Sequence, residues 1–173
     1  LEDASANIRY MSLQGLSWYS LSDTLGPVLG LLSRESDAHV ARMASRLLAK
    51  RLGSDPGPLL ETLGGIPFSE RLMDWILAFL KDHSWSSAAA GRALVLLGRE
   101  PLSLPRSRPS DFYSLAIAWM ERGSLSLDEV WPALEGVAEK ERFLCLVRDA
   151  LEKGGGRFPP LPVEFLAKEL RDK

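Results

Sequence analysis

Apolar residues recur every three or four positions along almost all of this chain, the period at which side chains line up on one face of an α-helix. No run of four to eight residues alternates with the β-branched enrichment of a strand. Ile8, Met11, Leu13 and Leu16 open the pattern. Leu25, Val28, Leu29, Leu31 and Leu32 continue it, and Val40, Ala44, Leu47, Leu48 and Leu52 carry it on. A short helix at 58–63 stops at Gly64-Gly65. Helices follow over 72–80, 89–97, 112–119, 130–137 and 143–151, with a last one over 163–170. The prediction is an all-α fold of about 8–10 helices.

The residues between these segments support the limits. Asp37, Ser69 and Ser110 stand where N-caps belong. Ser126 with Glu129 has the spacing of a capping box, in which hydroxyl and carboxylate each satisfy a free N–H. Gly53, Gly98, Gly123 and Gly154 stand where helices end. Two irregular connections are expected, 99–109 with Pro101, Pro105 and Pro109, and 154–162; the first is predicted to be extended. Pro27 and Pro132 lie about one turn inside their helical patterns, where a proline removes a hydrogen bond and bends the helix. The stretches starting at Ser22 and at Leu127 therefore look like two copies of a kinked helix followed by a second helix.

Length and composition narrow the class. The 173 residues suffice for one domain, 1–173, whose core needs no covalent staple. The one cysteine, Cys145, cannot form an internal disulfide and fits a reducing, cytoplasmic setting. No apolar run approaches the ~18 residues of a membrane span, and the start lacks a secretory signal pattern. A chain that opens on Leu1 rather than methionine reads as a piece of a longer protein. The net charge of −2 argues against a general nucleic-acid binder, which is normally basic along one face.

Pro27 in a first helix, followed by Asp37-Ala38-His39-Val40-Ala41-Arg42-Met43-Ala44 at the opening of a second, resembles the HEAT-repeat family. Asn7-Ile8-Arg9 with Leu13 and Leu16 is similar to the end of an earlier unit. The resemblance is clear over 7–53, looser over 69–98 and weak over 111–153, where Glu139-Lys140-Glu141-Arg142-Phe143 replaces the Asp/Val/Arg opening. It implies a short right-handed α-solenoid of antiparallel helix pairs, each burying its apolar face against its neighbours. It also implies that second helices line a concave surface. The last helix, 163–170, with Glu164, Lys168 and Glu169 on one side, would cap the array.

One constellation stands out. Helix 37–52 carries His39, Arg42, Arg46, Lys50 and Arg51, and between Asp37 and Asp55 there is no acid. Arg42, Arg46 and Lys50 share a face, one turn apart. Like charges at that spacing repel, so a bound phosphate or acidic peptide would relieve them. The plainer reading is a solvated basic face, paired with Glu35 or with acids on a neighbouring helix. Arg92, with Arg99, Arg106 and Arg108, forms a second basic set, and Arg92 extends the first if the helices stack in order. A loose resemblance to the basic groove of HEAT-like DNA glycosylases needs an aspartate beside aromatic residues, which Asp74-Trp75 matches in composition only. Trp75 and Trp119 fall mid-helix among aliphatics and read as core. Trp18-Tyr19 and Trp85 lie near helix ends, where a part-exposed aromatic anchors a partner or packs at the edge of a core.

No catalytic or metal-binding pattern emerges. His39 and His83 have no second His or Cys at ligand spacing. Cys145 sits in an apolar run and reads as a buried thiol. Gly64-Gly65 and Gly154-Gly155-Gly156 lack the lysine and hydroxyl of a phosphate loop. Asp128, Glu129, Glu139 and Glu141 read as helix-start charges. The expected function is a non-enzymatic protein–protein interaction scaffold that needs no cofactor. It would bind a protein partner or a neighbouring domain through Arg42, Arg46, Lys50, Arg51, Arg92, Trp18 and Trp85, with no role for a membrane. The alternative is a nucleic-acid or phosphate-binding domain that uses the basic stripe; its affinity would fall steeply with salt.

Overall fold

A computed structural model describes residues 1–66, 69–100, 102–134 and 140–154. Ten α-helices and no strand lie among them: α1 (Ala6–Leu16), α2 (Leu21–Arg34), α3 (Ala38–Leu52), α4 (Gly57–Thr62), α5 (Glu70–Asp82), α6 (Ser87–Leu97), α7 (Leu104–Ser107), α8 (Pro109–Glu121), α9 (Leu127–Val130) and α10 (Lys140–Gly154). Their contacts sort the chain into two units. Unit 1 takes Leu1–His83 and Arg99–Leu102; unit 2 takes Ser84–Gly98 and the chain from Ser103 onward.

In unit 1, α2, α3 and α5 each start on a side-chain cap and bury one face. Ser20 Oγ accepts from the Asp23 N–H to open α2, which buries Leu25, Val28, Leu29, Leu31 and Leu32. Pro27 sits inside α2 but on its exposed side, so the Asp23 carbonyl that loses its N–H partner lies toward water. The Asp37 carboxylate accepts from the N–H groups of His39 and Val40 at 2.8 and 3.0 Å and opens α3. Gly53, at φ +59, closes α3 in a backbone region that a side chain would strain. Ser69 caps α5 and its hydroxyl also donates to the Ser33 carbonyl at the end of α2. α3 packs against both α1 and α2, and α2 packs against α4 and α5. The short link at 35–37 turns the chain back, so α2 and α3 form an antiparallel pair.

Unit 2 is built around α8, which buries Phe112, Tyr113, Leu115, Ala116, Trp119 and Met120. α7 and α10 pack against it, and the rings of Tyr113 and Phe143 lie 5.3 Å apart at a tilt of 45°. α8 ends in a Schellman turn. The N–H of Ser124 reaches the Trp119 carbonyl, that of Gly123 the Met120 carbonyl, and Gly123 takes φ +72. The capping box of Ser126 and Glu129 is formed at the start of α9.

Several local expectations are corrected. The segment around Pro132 is not one kinked helix: α9 gives way after one turn to a 3-10 stretch, Trp131–Leu134. Pro132 has no N–H to return to the carbonyl four residues back, so the tighter winding takes over. The proline-rich connection is partly helical, because Pro105 falls in the first turn of α7 and Pro109 opens α8, positions where proline's fixed φ suits a helix. Ser110 consequently lies inside α8 rather than capping it. Gly98 ends α6 with an ordinary right-handed backbone. Cys145 is exposed, not buried: α10 turns Phe143 and Val147 inward, and Cys145 lies half a turn away. Trp75 is half-buried, stacked on Phe79, with its indole N–H donating to Ser45 Oγ at 2.6 Å. Pro101, the segment around Val137, Glu139, most of 154–162 and the helix expected at 163–170 lie outside the described residues.

Candidate functional site

The basic helix α3 lies beside α1, and the two run parallel. Near the start of both, Ala6, Asn7 and Tyr10 of α1 face Asp37, His39 and Val40 across an open cleft of about 300 Å³. At their ends, the Arg51 guanidinium donates to the Ser17 carbonyl at 2.7 Å and to the Tyr19 carbonyl. Neither helix contains an aspartate or a glutamate, although the whole chain carries net charge −2.

The outward faces differ in chemistry. On α3, Val40, Ala44, Leu47, Leu48 and Leu52 turn inward, which leaves Arg42, Arg46 and Lys50 exposed on the opposite side. Arg42 is oriented by its own helix: Nε donates to the Ala38 carbonyl, and a terminal nitrogen lies 3.1 Å from His39 Nδ1. Among the described residues Arg46 and Lys50 have no hydrogen-bond or ion-pair partner. On α1, Leu13 faces the core, so Ile8 and Met11 stand in solvent, 52% and 63% exposed. The turn after α1 adds Trp18, 90% exposed, and Tyr19, 60% exposed. Through its two bonds Arg51 fixes that aromatic turn at the Lys50 end of the basic stripe.

A buried ion pair ties α1 to the link between α2 and α3. Arg9 of α1 holds both oxygens of Glu35, each at 2.8 Å, and the Glu35 side chain is 1% exposed. The Asp37 N–H donates to Glu35 Oε1 at 2.8 Å, and Arg71 of α5 donates to the Glu35 carbonyl. The Arg9 hydrogen bonds hold the Glu35 carboxyl below the usual carboxylate range, against the opposing pull of burial. The N–H groups of Val40 and His39 lower Asp37 likewise. Glu35 is therefore the partner of Arg9, not of the basic stripe. A second open cleft of about 410 Å³ adjoins Arg9 and Glu35, where the chain from Leu1 to Asp3 passes Leu31 and Arg34. Two of its charged pairs are already formed, Arg9 with Glu35 and Arg34 with Glu2.

Of the residues singled out from the sequence, unit 1 brings together Arg42, Arg46, Lys50, Arg51 and Trp18. Arg51 works as a tie between helices rather than as a free cation. Arg92 is exposed on α6, and Trp85 precedes α6; both belong to unit 2. Trp85 is not an exposed anchor: it is 4% exposed, and Ser124 Oγ donates to its carbonyl at 2.7 Å. The hydroxyl pins the chain ahead of α6, and the ring is buried. Ile8 and Met11 were missed as surface residues, whereas Tyr19 is exposed at the helix end where the sequence placed it. The signal was present, because Leu13 with Leu16 and Ile8 with Met11 point to opposite sides of one helix, and only one side meets a core.

Among the described residues no group of three or more His, Cys, Asp or Glu side chains converges as metal ligands do, and no helix is long and apolar enough to cross a membrane. No protein-family model, curated protein or solved structure matches the chain.

Proposed function

We propose that this chain is a non-enzymatic protein-binding scaffold, a HEAT-like stack of helix pairs whose partner, a separate protein or a neighbouring domain, docks on the surface of α1 and α3. The observation that carries the reading is the exposed apolar set Ile8, Met11, Trp18 and Tyr19, gathered on one helix and its closing turn. Exposed apolar groups of this size in one place mark interaction surfaces, and tryptophan and tyrosine are enriched among the residues that dominate binding energy. The packing within unit 1 supports the stack. α2 and α3 form an antiparallel pair, α1 lies parallel to the second member, and the first member packs on α5. Helix pairs that stack side by side bring like members together in this way.

A photo-crosslinking amino acid placed at Trp18 or at Met11, in the full chain in cells, tests the reading. Both positions are expected to give the same discrete protein adduct. Val95, an exposed apolar residue of α6, serves as the control and is expected to give none. Absence of adducts at 11 and 18, or the same adducts at all three positions, overturns it.

A further inference from the structure

We infer that the outward face of α3 takes an extended acidic peptide, with carboxylates at alternate positions on Arg42, Arg46 and Lys50 and an apolar residue against Trp18. This rests on the scaffold reading and names the chemistry of its partner. The spacing argues for it first. Residues four apart on a helix are about 6 Å apart along its axis. Side chains on one edge of an extended strand recur every about 6.6 Å, so every second residue of a peptide meets the next cation.

Charge complementarity argues for it second. Arg46 and Lys50 have no partner among the described residues, and neither α1 nor α3 supplies an acid. A carboxylate can therefore approach without displacing an internal one. Position argues for it third. Arg51 holds the Trp18 turn against the end of α3, the end of the stripe that Lys50 occupies. The net charge of −2 favours a peptide over a nucleic acid, whose binders are normally basic along a whole face. Three cations in a row also release too few counterions for strong binding to nucleic acid.

The test uses the full chain and fluorescence anisotropy. The probe is a labelled peptide with three glutamates at alternate positions, serines between them and a leucine at each end. It is compared with the same peptide carrying glutamines, and with a single-stranded oligonucleotide of equal charge. The glutamate peptide is expected to bind, and to weaken as salt shortens the reach of the charges. The glutamine peptide is expected not to bind. The R46E/K50E variant is expected to lose about tenfold or more in affinity, and W18A to weaken binding as well. All three side chains are exposed, so the thermal melts of the variants should match that of the parent. Unchanged affinity in R46E/K50E overturns the inference, as does tighter binding of the oligonucleotide, which assigns the face to nucleic acid. If the peptide fails but the adducts at positions 11 and 18 form and survive R46E/K50E, the acidic-peptide inference falls and the scaffold reading stands. If the adducts fail too, both fall.

Discussion

The Glu35 carboxylate stays charged while buried because three donors reach it: two from Arg9 and the backbone N–H of Asp37. Glu35 and Asp37 both have lowered pKa values in the folded chain, so the unfolded chain takes up protons first as pH falls. Their contribution is complete above the ordinary carboxylate value, about 4, and is lost as pH drops through the lowered folded values. The melting temperature of unit 1, followed by Trp75 fluorescence, is expected to fall below about pH 4. Glu35→Gln should melt lower than the parent at neutral pH and show a shallower decline in acid. An equal acid decline in parent and variant would remove Glu35 from this role. The pair was not legible beforehand, because its members lie 26 positions apart and no periodicity links them. The side on which Trp85 and Cys145 fall was equally hidden, since nearness to a helix end or to apolar neighbours does not say which way a side chain turns.

The helices themselves were legible, because their spacing and caps act within one turn. Ser69, Asp37 and the Ser126–Glu129 box each behave as their local chemistry dictates. Where two local rules competed, the stronger steric one won. Pro109 took the first helical position that would otherwise have made Ser110 a cap, and Pro132 converted the end of its helix to 3-10 winding. Ser69 serves two elements at once, capping α5 and donating to the end of α2. Ser69→Ala is expected to cost about 1–2 kcal/mol in a denaturant titration, at the upper end of the range for an isolated cap. Ser69→Thr keeps the hydroxyl and should recover most of it. A loss well under that range in the alanine variant would mean that water replaces both bonds.

Across the whole chain, an all-helical fold followed from periodicity, whereas the division into two units did not. That division depends on contacts between residues far apart in sequence, and the short return of Arg99–Leu102 to unit 1 has no local signature. Leu102 is buried. Leu102→Asp places a charge at a buried apolar position and is expected to destabilise unit 1 by about 3 kcal/mol or more. Hydrogen exchange should then show loss of protection in α2 and α5; unchanged exchange there would rule out a stabilising role for this segment. The same return has a bearing on synthesis. A ribosome releases α1 to α5 and then α6 before it releases Arg99–Leu102. Unit 1 thus waits for its last piece while the first helix of unit 2 is already outside the exit tunnel, and the order of translation is not the order in which the units can be completed.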